Sequence, residues 1–296
     1  MMATGESNSG CDVRSRSTET RDLSEARDRG NTAIIRNLMD ARLDFSGSPP
    51  LRKSYIVAAS YRCGSTYLCT RLWNTGVLGA PAEYLNVGGG RMLRHVMERR
   101  LQATSPEDYF GKLLACRTSS NGVFGMKAHY HHFERALDWC PQMLKLLAPV
   151  TYIYLSRRDA IAQAVSMAKA IQTNRWTSMD EDVETVLRYD ERLIGQCLEE
   201  IQQQKIGWLR WFELNNITPF VVNYEDLITN TASAIGSVIK LLDVRDDEGC
   251  ELYPPLVEKL GDGINAEWAA RFRREALRAS SWRRSPSASL KWMLDI

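Results

Sequence analysis

Apolar positions along the chain alternate between two kinds of pattern. SYIVAAS (residues 54–60) is a short continuous apolar run, as expected of a strand buried on both faces. It leads through Tyr61-Arg62-Cys63-Gly64-Ser65-Thr66 into TYLCTRLWNTG, a helical pattern closed by Gly76. GVFGMKA (122–128) and VTYIYLS (150–156) read as further strands. After the latter, Ile161, Val165, Ala168 and Ile171 recur on one helical face. Residues 182–216 predict one long helical region, TPFVVNYEDL (218–227) a strand ending in a polar turn, and TASAIGSVIKLLD (231–243) another helix. Strands alternating with helices predict an α/β domain around a mostly parallel sheet. Residues 1–31 are rich in Ser, Thr, Arg and acidic residues and nearly free of apolar ones, which predicts disorder. Ile34, Ile35, Leu38 and Met39 predict one short amphipathic helix before the break at Gly47–Pro50. The expected organisation is an extension over 1–50, one domain over 51–281 and a basic tail over 282–296; there is no internal repeat.

Composition narrows the class. With 296 residues, 44% of them hydrophobic, and eight tryptophans, the chain can bury a real core. A formal charge of +2 gives no whole-chain signature for nucleic acid or a membrane surface. Near the end Arg271, Arg273, Arg274, Arg278, Arg283, Arg284 and Lys291 outnumber Glu275 and Asp295, which reads either as a solvated helix face or as a patch that draws in a polyanionic cofactor. Seven cysteines, an odd count without repeated spacing, suggest neither a disulfide framework nor a CxxC metal site and lead us to expect a reducing, cytoplasmic compartment. The polar N-terminus does not read as a secretory signal, and no apolar run approaches the ~20 residues of a membrane helix. The oligomeric state is not set by these features; a homodimer stays open.

Three constellations carry candidate chemistry. In the first, Arg62 to Thr66 lie between a buried strand and a helix, where unpaired N–H groups and a partial positive charge bind phosphate. Gly64 permits close approach of an anion, Ser65 and Thr66 offer hydroxyls, and Arg62 adds a bidentate cation. An ordinary capped helix would look the same locally. The loop is not a Walker A, because GxxxxGK[ST] is missing and with it the lysine and the magnesium-binding hydroxyl. In the second, Arg157, Arg158 and Asp159 follow the strand VTYIYLS; Arg158 sits where the helix begins, and Ser166 lies about two turns on. In the third, Glu83 stands on the proline-fixed loop GAPAEYLN (79–86), above the strand ends where α/β proteins bind ligands. A carboxylate there can take the proton of an attacking hydroxyl.

The order RCGST, TGVLGAPAEYLN, SRRDAIAQAVSMAKAIQTNRW, GWLRWF, VNYEDL and EWAARFRREALR, over residues 54–281, resembles the bacterial trehalose- and lipopolysaccharide-type carbohydrate sulfotransferases. The resemblance implies a P-loop-like, three-layer α/β fold with a central mostly parallel sheet flanked by helices. It implies 3′-phosphoadenosine-5′-phosphosulfate (PAPS) as donor, a carbohydrate acceptor, and neither metal nor nucleic acid. Carried over residue by residue, it assigns Arg62, Cys63, Gly64, Ser65 and Thr66 to the 5′-phosphosulfate, and Arg158 and Ser166 to the 3′-phosphate. Glu83 becomes the general base, with Lys127 beside the reacting groups; Tyr84, Gln172 and Trp176 fall on the acceptor side. Ala80 stands where the trehalose enzymes carry an acidic residue, which questions trehalose as acceptor. His129, His131 and His132 form an HxHH run without acidic or Cys ligands nearby in sequence; His129 is an alternative base. A nucleotide kinase and a non-catalytic nucleotide-binding module are the competing functions. The missing Walker lysine counts against the first, and the second has no need of Glu83 or Lys127.

Overall fold

The computed structural model describes residues 38–39, 41, 44–47, 49–87, 93–178, 180, 184–244 and 261–282. Within them the apolar runs form four strands: β1 (Lys53–Ala59), β2 (Val123–His129), β3 (Val150–Ser156) and β4 (Phe220–Asn223). They pair in the order β2-β1-β3-β4, every neighbouring pair parallel. The helices are α1 (Ser65–Trp73), α2 (Leu93–Leu101), α3 (Pro106–Arg117), α4 (Tyr130–Trp139), α5 (Met143–Leu146), α6 (Ala160–Thr173), α7 (Glu191–Leu214), α8 (Tyr224–Thr229), α9 (Thr231–Leu241) and α10 (Gly263–Trp282).

Alternation along the strands makes three layers, because successive side chains point to opposite faces. Ile56 and Ala58, with Phe124, Met126, Tyr152 and Tyr154, pack on one face against Phe110, Leu113, Phe133 and Trp208 of α3, α4 and α7. Tyr55, Val57 and Ala59, with Ile153, Leu155 and Val222, pack on the other against Leu68, Cys69 and Leu72 of α1 and Ile235 and Val238 of α9. Each fully buried Leu or Phe here contributes about 1.5–3 kcal/mol. A separate cluster joins α6, α7 and α10 through Ala164, Val165, Ile194, Leu198, Trp268 and Phe272. The fold is the α/β, P-loop-like arrangement of a parallel sheet between helical layers.

Three expectations shift. The long helix starts at Glu191, not near 182: Gln172 bonds both the N–H and the carbonyl of Arg188, each at 2.9 Å, and Asp190 caps the helix at Leu193 N. The polar turn after β4 is instead the short helix α8. Part of the expected extension packs on the domain: Met39 is buried in the core, and Asp44 pairs with Arg100 at 2.7 Å and with the fully buried Arg117 at 3.0 Å. Residues 1–37, including Ile34 and Ile35, and the tail from 283 onwards lie outside the described residues. Among the described residues no helix is long and apolar enough to cross a membrane.

The register brings the C-terminal ends of the strands to one edge, with Ala59 opposite His129 and Leu155, and Ser156 opposite Asn223. The loops that leave this edge build the site.

Candidate active site

A cavity of about 970 Å³ opens at that edge. Its floor is the loop from β1 into α1. The turn needs two left-handed residues, Arg62 (φ 58°) and Gly64 (φ 85°). At Gly64 a Cβ would also stand 2.5 Å from the Tyr224 ring, so conformation and space both demand glycine. Gly64 caps α1 without a side-chain hydrogen bond, and the first turn holds no acidic residue. Gly64, Ser65, Thr66 and Tyr67 line the cavity, so the positive end of the helix meets whatever binds there.

Cations gather around this loop. Arg62 donates from Nε to Ser166 Oγ at 3.1 Å and from Nη1 to the Trp176 carbonyl. Burial, reinforced by the neighbouring Arg157, lowers its guanidinium pKa to about 10. Arg157 donates from Nη1 to the Arg62 carbonyl at 3.2 Å and lies over the Tyr224 ring at 4.6 Å, while its Nε is buried without a hydrogen-bond partner among the described residues. Two guanidinium groups held this close are complementary to a polyanion.

The carboxylate side faces them. Lys127 comes from β2, and its backbone N–H donates to the Ala82 carbonyl at 2.9 Å, which ties the Glu83 loop to the sheet. Its buried Nζ sits 2.5 Å from Glu83 Oε1 and donates to Thr66 Oγ1 at 2.8 Å. Asn86 Nδ2 donates to Glu83 Oε2 at 2.6 Å, and His129 Nε2 is 3.6 Å from Oε1. Burial pushes the Glu83 pKa up, but Lys127 and His129 outweigh it and hold the carboxyl well below the usual range. Lys127 thus bridges the anion loop and the carboxylate.

Arg62, Gly64, Ser65, Thr66, Glu83, Lys127, Ser166 and Trp176 all line this one cavity. Four expected residues do not. Cys63 is fully buried with Leu68 and Cys69, so only its backbone belongs to the loop. Arg158 is exposed and held bidentate by Asp226 of α8, at 2.9 and 2.6 Å, while Arg157, one residue earlier and pointing the other way, takes its place in the cavity. Tyr84 is fully buried, its hydroxyl on the Ala80 carbonyl. Gln172 is occupied with Arg188. Ala80 packs fully buried in a cluster with Trp73, Leu38 and Phe45 and does not line the cavity. Sequence reasoning gave no individual site role to Tyr61, Asn86, Arg157, Tyr224 and Arg273, although Tyr61 opens the first constellation, Arg157 stands in the second and Arg273 belongs to the basic run read as a possible polyanion patch. Among the described residues no group of three His, Cys, Asp or Glu side chains is placed to hold a metal ion.

A parallel sheet whose first loop presents an unshielded helix N-terminus, flanked by two arginines and a lysine–carboxylate pair, has the charge and shape of an anion-binding site of the P-loop-like α/β class. The family model of the Stf0 sulphotransferases matches residues 54–275, and the chain belongs to that family. It is similar to the trehalose 2-sulfotransferase of Mycolicibacterium smegmatis, with 28% identity over 76% of this chain and 96% of that protein. The trehalose 2-sulfotransferase of Mycobacterium tuberculosis is 26% identical over the same shares. Among solved structures, the sulfotransferase domain of the Synechococcus PCC 7002 olefin synthase covers 84% of this chain and 93% of that domain, at 15% identity and a TM-score of 0.46.

Proposed function

We propose that the protein transfers the sulfuryl group of PAPS to a hydroxyl of a carbohydrate, with trehalose the first acceptor to test. The observation that carries this reading is the meeting of Glu83, Lys127 and Thr66 at the mouth of the anion loop, where Lys127 is within bonding distance of both the others. The loop amides, Arg62 and Thr66 would hold the 5′-phosphosulfate. Arg157, in place of Arg158, would hold the 3′-phosphate with Ser166. The sugar hydroxyl gives its proton to Glu83, its oxygen attacks sulfur in line, and the sulfur–oxygen bond to the 5′-phosphate breaks. The electron pair leaves on the phosphate oxygen, so the products are a sugar sulfate and 3′-phosphoadenosine 5′-phosphate. Positioning and charge neutralisation supply most of the rate in such a transfer, and no metal enters it.

The resting carboxyl is a weak base because Lys127 pairs with it. A sulfuryl group at the loop competes for that ammonium, and Glu83 becomes more basic as Lys127 turns to the donor. The buried free thiols of Cys63, Cys69, Cys140 and Cys197 fit the reducing cytoplasm expected for the protein. Incubation with PAPS and trehalose, glucose or a lipopolysaccharide-derived sugar, read by mass spectrometry, tests the reading. Equimolar sugar sulfate and bisphosphate are expected; bisphosphate release without any sulfated sugar contradicts it.

A further inference from the structure

Tyr61 opens the β1–α1 loop and lines the cavity on the Glu83 side, its ring centroid 4.3 Å from that of His129 and 6.2 Å from that of Trp176. A chain of hydrogen bonds holds its hydroxyl from outside the cavity. Tyr61 Oη lies 3.0 Å from His131 Nε2, His131 Nδ1 meets Gln204 Nε2, and Gln204 Nε2 donates to Glu200 Oε1 at 2.8 Å. The His131 backbone N–H faces Gln204 Oε1 at 3.4 Å.

These contacts admit one placement of protons. A carboxylate accepts, so the Gln204 amide nitrogen faces Glu200; a backbone N–H donates, so the amide oxygen faces residue 131. The second amide hydrogen then goes to His131 Nδ1, which fixes the neutral ring as its Nε2–H tautomer. Burial lowers the His131 pKa and keeps that ring neutral. Its Nε2–H donates to Tyr61 Oη. Tyr61 therefore uses an oxygen lone pair on the protein and keeps its own hydroxyl hydrogen, for which the described residues supply no further partner. Burial, and then the carboxylates of Glu83 and Glu200, push the phenol pKa up, so the hydrogen stays on.

We propose that Tyr61 is an acceptor-recognition residue. It donates its phenolic hydrogen to an oxygen of a polyhydroxylated acceptor next to the hydroxyl that Glu83 deprotonates, with Trp176 forming the adjoining wall. His131, Gln204 and Glu200 are positioning residues that act through it. This assignment rests on the sugar-sulfating reading above and adds the group that recognises the sugar.

The test uses the full chain saturated with 3′-phosphoadenosine 5′-phosphate and titrated with trehalose, glucose and maltose by calorimetry, alongside steady-state sulfation with PAPS. Tyr61→Phe is expected to raise the sugar Kd and KM about 3- to 10-fold, the worth of one neutral hydrogen bond. Its kcat should stay within about 2-fold and bisphosphate affinity should not move. His131→Leu is expected to follow Tyr61→Phe, and His131→Gln, which keeps a side-chain N–H, to recover most of the loss; a merely structural His131 would lower Tm without that pattern. Sugar affinity unchanged in Tyr61→Phe, or an equal loss of bisphosphate affinity, overturns the proposal while leaving sulfation intact. Tyr61-dependent sugar binding without transfer removes the functional reading and with it the acceptor role, leaving Tyr61 as a sugar contact only. No sugar binding by the wild type removes both.

Discussion

Replacing Lys127 with Met strands the Glu83 carboxylate. Lys127 is 3% exposed and Glu83 19%, and their charged atoms are 2.5 Å apart. Leaving one member of a buried ion pair alone costs roughly 3–5 kcal/mol. Here Asn86 still donates to Glu83, His129 stays close and some solvent reaches the site, which reduces the expected loss to about 2 kcal/mol at neutral pH. The pH dependence identifies the cause. In the wild type the folded Glu83 pKa lies below its unfolded value. Its contribution is therefore fully present above the usual carboxylate pKa of about 4.3 and disappears only as pH falls through the folded pKa. Without Lys127, burial drives the pKa upward, and the variant regains stability as pH falls through the raised value. Urea midpoints of both proteins at about pH 7.5 and about pH 5 read this directly. The variant's deficit should shrink at the lower pH; an equal deficit at both would refute the electrostatic argument.

Arg157→Ala should weaken binding of 3′-phosphoadenosine 5′-phosphate about 10- to 100-fold by calorimetry, whereas Arg158→Ala should change it less than about 2-fold. The reverse order would return the phosphate role to Arg158. Deleting residues 1–31 should leave Tm and donor binding unaltered, because so polar a segment has little to bury. Asp44→Asn should cost about 3 kcal/mol and lower Tm by several degrees, since Arg100 and the buried Arg117 both rely on that carboxylate; an unchanged Tm would show the pairing to be idle.

Continuous apolar runs announced β1, β2 and β3, and the loop between β1 and α1 was legible because strand, glycine and hydroxyl residues fall in the order an anion loop needs. Glu83 was legible as a loop carboxylate and the resemblance put Lys127 beside the reacting groups, but their direct pairing was not legible, since Lys127 reaches Glu83 and Thr66 only through the pairing of β1 with β2. Arg158 and Arg157 differ by one position. Arg157 lines the cavity, whereas Arg158 turns out to pair with Asp226, 68 residues further on, a partner no local pattern reveals. Residues 184–189 have helical composition, yet Gln172 ties Arg188 in place by two bonds that no local pattern reveals. The start of α3 was readable, with Ser105 accepting from Asp108 N at 3.1 Å and Pro106 in the first turn, a capping signature the strand-centred reading passed over. Tyr224 carries no sequence signal, and Arg273 is not distinguished from the other arginines of its basic run, because only tertiary packing brings α8 and α10 to the cavity.

The central claim is that Glu83 is the base of a sulfuryl transfer, and single-turnover transfer from labelled PAPS to trehalose by wild type, Glu83→Gln and His129→Gln tests it most directly. Glu83→Gln keeps the shape and cannot take the proton, so its rate should fall about 10²–10⁴-fold with donor affinity nearly unchanged, while His129→Gln should lose far less. Near-normal transfer by Glu83→Gln together with a dead His129→Gln would contradict the account and move the base to His129.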